Sequence, residues 1–318
     1  MNRILKSTKF VVDHADFVKI NKDKINDFAS TFTHEHVKHW LIESPYDISE
    51  LDNEKKLTFL LIFNTMSFSY WGEPKWTIEY HGKNYDGAWG MIVALGRALE
   101  ENVPILDFNF LSKIKKSELA EVLRGNTKIP LFEERWKLIR KVGRIITKKY
   151  NGNFSNLVRK ANGDATKLSD LVIKELKVFD DVSKYKSKRI YFYKRAQLLV
   201  SDIYQFFGGK DHGALKNTEE LTACADYKLP QVLRKLGILY YSPELAKKID
   251  NKTQIHSDTN EEVEIRACTI WAIELIKNEL KKRIPDIDAI HVNDHIWLAG
   301  QVKSSNDKPY HLTRTIAY

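Results

Sequence analysis

Apolar residues recur at alternating spacings of three and four along four long stretches of the chain, a period that an α-helix uses and a β-strand cannot. In WGMIVALGRALEE, from Trp89, Ile92, Leu95 and Leu99 share one face, and Pro104 closes the segment. In LFEERWKLIRKVGRIITKKYNG, from Leu131, the stripe is Phe132, Trp136, Ile139, Val142 and Ile146, with lysines in the last turn and Gly152 just beyond. Phe192 to Phe207 repeats the pattern through Phe192, Ala196, Leu199, Ile203 and Phe206 before Gly208-Gly209, and Glu261 to Ile284 forms a fourth helix stopped by Pro285. Strand signal is confined to short pieces: Trp76 to Tyr80 and Lys83 to Tyr85 flank His81-Gly82 and read as a small β-hairpin. The expected fold class is mostly α.

No run rich in Pro, Gly and Ser divides the chain, so residues 1–318 read as a single compact unit. A soft internal break lies near residues 151–163, where Asn and Gly accumulate between an N-terminal portion and a C-terminal helical portion. With 43% hydrophobic and 29% charged residues the chain is globular rather than disordered. The apolar run Leu57 to Phe63 falls far short of the roughly 18 residues that span a bilayer, and the N-terminal stretch lacks an apolar signal core. Cys224 and Cys268 form no CxxC pair, which argues against a structural zinc site and fits a reducing compartment. The expectation is a cytoplasmic protein with no membrane partner.

The net charge of +9 attracts polyanions or phosphorylated small molecules and does not choose between them. The densest basic stretch, KYKSKRIYFYKR from Lys184 to Arg195, interleaves Tyr185, Tyr191, Phe192 and Tyr193 with its cations. It reads either as a surface for single-stranded nucleic acid or as a solvated turn leading into a helix. Gly208-Gly209-Lys210 lacks the upstream Gly and following Ser/Thr of a phosphate-cradling loop, and neither GxGxxG after a strand nor GxSxG occurs. His34, His36 and His39 form a cluster, but on a helix His34 and His36 face different sides and no further ligand completes a metal spacing.

Three acids stand among apolar or aromatic neighbours: Asp202 in LLVSDIYQFF, Asp226 in TACADYKLPQVL and Asp294 in HVNDHIWLAGQ. An acid in such surroundings is paired, serves as a cap, or is available for catalysis. Asp226 stands three residues before Leu229-Pro230, where it can cap the helix that carries Val232, Leu233 and Leu236. Periodicity and spacing leave its two roles, cap and catalyst, both open.

Seven segments together resemble the queuosine salvage protein family, the queuosine 5′-phosphate N-glycosylase/hydrolases. They are NTMSFSYWG (Asn64 to Gly72), YDGAWGMIVALGRALEENVPI (Tyr85 to Ile105), PLFEERWKLI (Pro130 to Ile139), FYKRAQLLVSDIY (Phe192 to Tyr204), ADYKLPQVLRKLGIL (Ala225 to Leu239), EVEIRACTIWAIELI (Glu262 to Ile276) and HLTRTIAY (His311 to Tyr318). The resemblance implies a helical fold like that of helix-hairpin-helix DNA glycosylases. It also implies a hydrolase that cleaves the N-glycosidic bond of queuosine 5′-monophosphate, with a small-molecule substrate, no cofactor and no stable nucleic-acid partner.

It further implies roles for particular residues. Asp226, in the acid motif, and Lys194, in FYKRAQ, are the catalytic candidates. Such an Asp stabilises oxocarbenium character, forms a covalent intermediate or orients water, and the Lys pairs with it, donates to the departing base or binds the 5′-phosphate. Asn293 or Asp294, with Trp297, lies where an acidic contact to the base is expected, the acid falling one position later than in the family pattern. Phe68, Tyr70 and Trp71 are stacking candidates, although aromatics at this density are more often core. Leu215 and Lys216 fall where the family carries an aromatic residue and its neighbour, and His39, with His36 as the alternative, is a substrate-contact candidate. A nucleic-acid glycosylase or tRNA-binding module is the competing function, and a non-catalytic queuine carrier is a third.

Overall fold

The computed structural model describes residues 2–304 and 307–318, and helices dominate it, as the periodicity requires. The chain folds into two compact units, each assembled from segments distant in sequence. One comprises Met1–Ile42, Asp181–Gln197 and Asn217–Tyr318; the other comprises Glu43–Asp180 and Leu198–Lys216.

In the unit of Glu43–Asp180 and Leu198–Lys216, the helix Asn53–Met66 opens on Asp52, whose carboxylate accepts the Lys55 amide at 2.8 Å. From Leu57 to Met66 every residue is buried, which is why apolar residues fall on every side of this stretch instead of along one stripe. The helix Phe132–Tyr150 packs against Phe108–Lys113 and Asn53–Met66. Gly143 lets it approach: a Cβ there would lie 2.6 Å from the Ser112 amide nitrogen. The anticipated hairpin is present, with Thr77–Tyr80 paired antiparallel to Lys83–Asp86. His81 and Gly82 both adopt positive φ, the geometry of a two-residue turn matched to strand twist.

The other unit is built round the helix Asn260–Leu280, whose residues from Glu262 to Ile270 are all buried. Against it pack Arg3–Asp13, Lys22–Thr31, Lys228–Lys235 and Ala289–Ala299. Strand Val18–Ile20 pairs antiparallel with Leu239–Tyr241. The basic stretch proves to be neither a plain turn nor a helix entry alone. Val182–Tyr185 and Lys188–Tyr191 form a second antiparallel hairpin, and the following helix begins at Lys194 rather than Phe192 because Tyr193 holds a φ of 50°. Ser183, Tyr185 and Ile190 face inward while Lys184, Lys186, Lys188 and Arg189 stay exposed. The turn is Lys186-Ser187, both at positive φ; lacking Gly or Asn, it carries no ordinary hairpin signal.

The central helix buries charged residues that hold other segments. Glu264, fully buried, accepts the amides of Phe17 at 2.6 Å and Val18 at 3.2 Å and the Tyr185 hydroxyl at 2.8 Å. Glu264→Ala strands the Phe17 and Val18 amides, while the Tyr185 hydroxyl keeps the His14 carbonyl at 2.7 Å, and is expected to cost about 2 kcal/mol or more, seen as a lower urea midpoint at unchanged slope; a change of a few tenths would contradict this account.

Nearby, Arg266 forms a two-pronged pair with Asp181 at 3.0 and 2.6 Å, and the Tyr318 hydroxyl donates to Glu262 at 2.8 Å. The His311 ring nitrogen Nε2 lies 3.2 Å from that hydroxyl; since the hydroxyl proton goes to Glu262, Nε2 carries the ring's hydrogen. Burial, with Arg266 adding, pushes His311 down to about 3, and burial beside His36 pushes His295 down to about 4. Both are neutral when folded, whereas an unfolded histidine takes up a proton near pH ~6.5. Their contribution is therefore complete above that pH and is lost as pH falls toward the folded values. Glu262, pushed up by burial, works in the opposite sense, because its folded form keeps a proton that the unfolded form releases. The expected result is a urea midpoint that declines from pH ~6.5 to ~4.5. His311→Gln should reduce that slope by roughly 1.4 kcal/mol per pH unit, and an unchanged slope would contradict it.

Candidate active site

Residues 221–226 run without helix or strand ahead of the helix Lys228–Lys235, and side chains from other elements hold their amides. Gln197 accepts the Thr222 amide at 2.9 Å and its hydroxyl at 3.5 Å. Asn293 accepts the Cys224 amide at 2.9 Å and donates through Nδ2 to Asp294 at 3.0 Å. The second oxygen of Asp294 accepts the Trp40 amide at 3.3 Å, and the Trp40 and Trp297 rings meet edge to face at 5.0 Å. His39, buried beside Trp40, lies 6.2 Å from it, ring to ring. This chain of contacts joins the helix of Lys194 and Gln197, the segment of Asp226, the Asn293-Asp294 pair and the Trp40–Trp297 contact.

Asp226 is half-buried and does cap a helix: Oδ1 accepts the amides of Lys228 at 2.7 Å and Leu229 at 3.0 Å. Its other oxygen has no hydrogen-bond partner among the described residues. One oxygen orients the carboxylate while the other stays open, so the cap role and a chemical role fit the same side chain. Lys194 is the first residue of Lys194–Phe206, and its amide donates to Asp181 at 3.1 Å. The residue is only 6% exposed, and Nζ makes no hydrogen bond or ion pair among the described residues. A lysine without a carboxylate beside it is available to an anionic group of a ligand. Gln197, one turn on, shares its helix face, the face from which Thr222 is held.

Phe68, Tyr70, Trp71, Asp202, Leu215 and Lys216 belong to the other unit. Phe68, Tyr70 and Trp71 are all buried. The Arg135 guanidinium lies 4.3 Å from the Phe68 ring and 5.2 Å from the Tyr70 ring and donates to the carbonyls of Met66 and Phe68. Tyr70 also stacks on Trp76 at 6.1 Å. Asp202 is fully buried and accepts from Asn64 at 2.9 Å. Leu215 is buried; Lys216 is exposed, its backbone tied to Gly163 at 2.8 Å and Ala165 at 2.9 Å. In the unit that holds Asp226 and Lys194, His34 and His36 lie on a 3-10 turn rather than an α-helix, with His39 beyond it. There His36 accepts the Thr33 amide at 2.8 Å and packs against His295 at 4.7 Å.

Sequence reasoning passed over Gln197, Thr222, Asp181 and Arg266. Gln197 carried a signal, its place one turn beyond Lys194 inside FYKRAQ. Asp181 and Arg266 carried none, because their partners are distant in the chain.

These features define a helical protein in which a helix-capping carboxylate, Asp226, ends a segment whose amides are held by other elements, and a lysine, Lys194, opens the helix that supplies one of those holds. A family model described as queuosine salvage protein matches residues 48–318, and the chain belongs to that family. It is 39% identical to the queuosine 5′-phosphate N-glycosylase/hydrolase of Sphaerobacter thermophilus over 99% of this chain and 97% of that one. It is 33% identical to the protein of the same name from Bos taurus and 30% identical to that from Mus musculus, in each case over 98% of both chains.

Proposed function

We propose that this protein hydrolyses queuosine 5′-monophosphate, with water adding across the N-glycosidic bond to release queuine and ribose 5-phosphate. The observation that carries this reading is the 39% identity, over nearly the whole of both chains, to a relative that bears the activity in its name. Asp226 and Lys194 are the residues proposed to do the chemistry. Breaking the bond builds positive charge on the ribose, which the open oxygen of Asp226 stabilises directly or by orienting water. Queuine is a 7-deazaguanine and has no N7 to protonate, so the leaving group needs help through another edge. Lys194 supplies a cation for that edge or for the 5′-phosphate. Asn293 and Asp294 are proposed to meet the substrate's base and its ammonium, with Trp297 and His39 beside them.

The fold is proposed to be akin to that of the helix-hairpin-helix DNA glycosylases; the helical content and the family membership support it. Among the described residues no helix is long and apolar enough to cross a membrane, and both cysteines are free and buried. These features support action in the cytoplasm. The test is incubation of purified protein with queuosine 5′-monophosphate, with queuosine and with queuosine-containing tRNA, and quantification of free queuine by mass spectrometry. Release from the monophosphate beyond one equivalent of protein is expected. Release from tRNA alone would favour a nucleic-acid glycosylase, and release from none would overturn the reading.

A further inference from the structure

We infer that the buried Asp181–Arg266 pair is the positioning device for Lys194, holding the Phe192-Tyr193-Lys194 segment in a conformation it would not keep by itself. The inference rests on the proposed role of Lys194 and names the residues that make that role possible. Tyr193 has a φ of 50°, a left-handed conformation unfavourable for an aromatic L-residue. Such a residue persists only where its surroundings over-determine it, and residues of this kind concentrate at functional sites.

Asp181 supplies the restraint. Its carbonyl accepts the amides of both Phe192 and Tyr193 at 3.1 Å, and its Oδ2 accepts the Lys194 amide at 3.1 Å. Three successive amides thus converge on one residue, the third at the start of the helix that carries Lys194.

Arg266 in turn fixes Asp181. Its guanidinium grips both carboxylate oxygens, at 3.0 and 2.6 Å, and its side chain is 1% exposed. It lies 3.8 Å from the centre of the Phe192 ring and 4.5 Å from that of Tyr318, so it is clamped between the segment it supports and the tail HLTRTIAY. Glu262 approaches its Nε at 3.7 Å and is itself bonded by the Tyr318 hydroxyl. The geometry needs a planar fork with two parallel donors; a lysine at 266 keeps the charge but cannot grip both oxygens and stack at the same time.

The experiment uses the full chain and compares Lys194→Ala, Asp181→Asn, Arg266→Lys and the double variant Lys194→Ala/Asp181→Asn. Each is scored for queuine release, with kcat and KM measured separately, and for melting temperature. Asp181→Asn keeps an oxygen for the Lys194 amide but loses the ionic grip. It is expected to lower kcat at least tenfold, with much less change in KM, at temperatures where it remains folded. Arg266→Lys should behave in the same direction. In the double variant the two losses should not multiply, because Asp181 acts through Lys194; a purely structural Asp181 would lower the melting temperature and leave the kcat loss multiplicative. Full kcat in Asp181→Asn alongside a crippled Lys194→Ala overturns the inference and leaves the role of Lys194 standing. Full activity in Lys194→Ala overturns that role itself. Should Arg266→Lys fail to fold, Asp181→Asn and the double variant decide the matter.

Discussion

Asp226→Asn is expected to lower queuine release by roughly three orders of magnitude while leaving the melting temperature within about 2 °C of the parent. The expectation follows from the division of labour between the two carboxylate oxygens. Oδ1 accepts the amides of Lys228 and Leu229, and an asparagine accepts them equally well, because Asn and Asp are comparable caps. The other oxygen becomes an amide nitrogen, which neither stabilises a cationic ribose nor orients a nucleophilic water. Asp226→Ala removes both functions and should add a cap loss of about 1 kcal/mol. That extra loss shows in the melting curve and not in the turnover of protein still folded. If Asp226→Asn retained a tenth or more of the parent turnover, the role would have to pass to another acid. Asp202 and Asp294 are already engaged, the first by Asn64 and the second by Asn293 and the Trp40 amide.

Lys194→Met should separate stability from activity in the opposite direction. Methionine nearly matches the length and volume of the lysine stem, and its thioether tolerates an apolar setting. The lysine it replaces is 6% exposed and makes no ion pair among the described residues, so its removal breaks no such contact. Stability is expected to stay level or rise by about 1 kcal/mol, while turnover falls roughly a hundredfold or more. A variant that lost stability and kept turnover would mean that the lysine is a structural element whose partner is made within the protein. The two results together discriminate well, since a generic disturbance of the fold lowers both quantities at once.

The helical character of the chain was written in its periodicity, because burial of one face of a helix demands apolar residues every three or four positions, and such a pattern can be read without knowing what the face meets. Two stops were equally legible, the hairpin turn at His81-Gly82 and the end of the helix Phe132–Tyr150, which fall where positive-φ residues allow them, whereas the central helix ends at Leu280, short of Pro285. The family was legible too, since seven ordered segments carry it, and with the family came Asp226 and Lys194 as candidates. Other features had no local signature. The hairpin Val182–Tyr185/Lys188–Tyr191 was hidden because lysines fill its outward positions and its turn lacks glycine. The pairing of Val18–Ile20 with Leu239–Tyr241 joins segments far apart in the chain, and three-residue strands carry too little pattern to announce themselves. Asp181 and Arg266 look like ordinary polar residues in the sequence; each acquires its meaning from a distant partner. Periodicity and motif are local properties and belong to the sequence by itself. The division of Asp226 between cap and open oxygen, the isolation of the Lys194 ammonium and the left-handed turn at Tyr193 were decided only by tertiary structure. They depend on which amides, carboxylates and rings the folded chain brings within hydrogen-bonding or van der Waals distance.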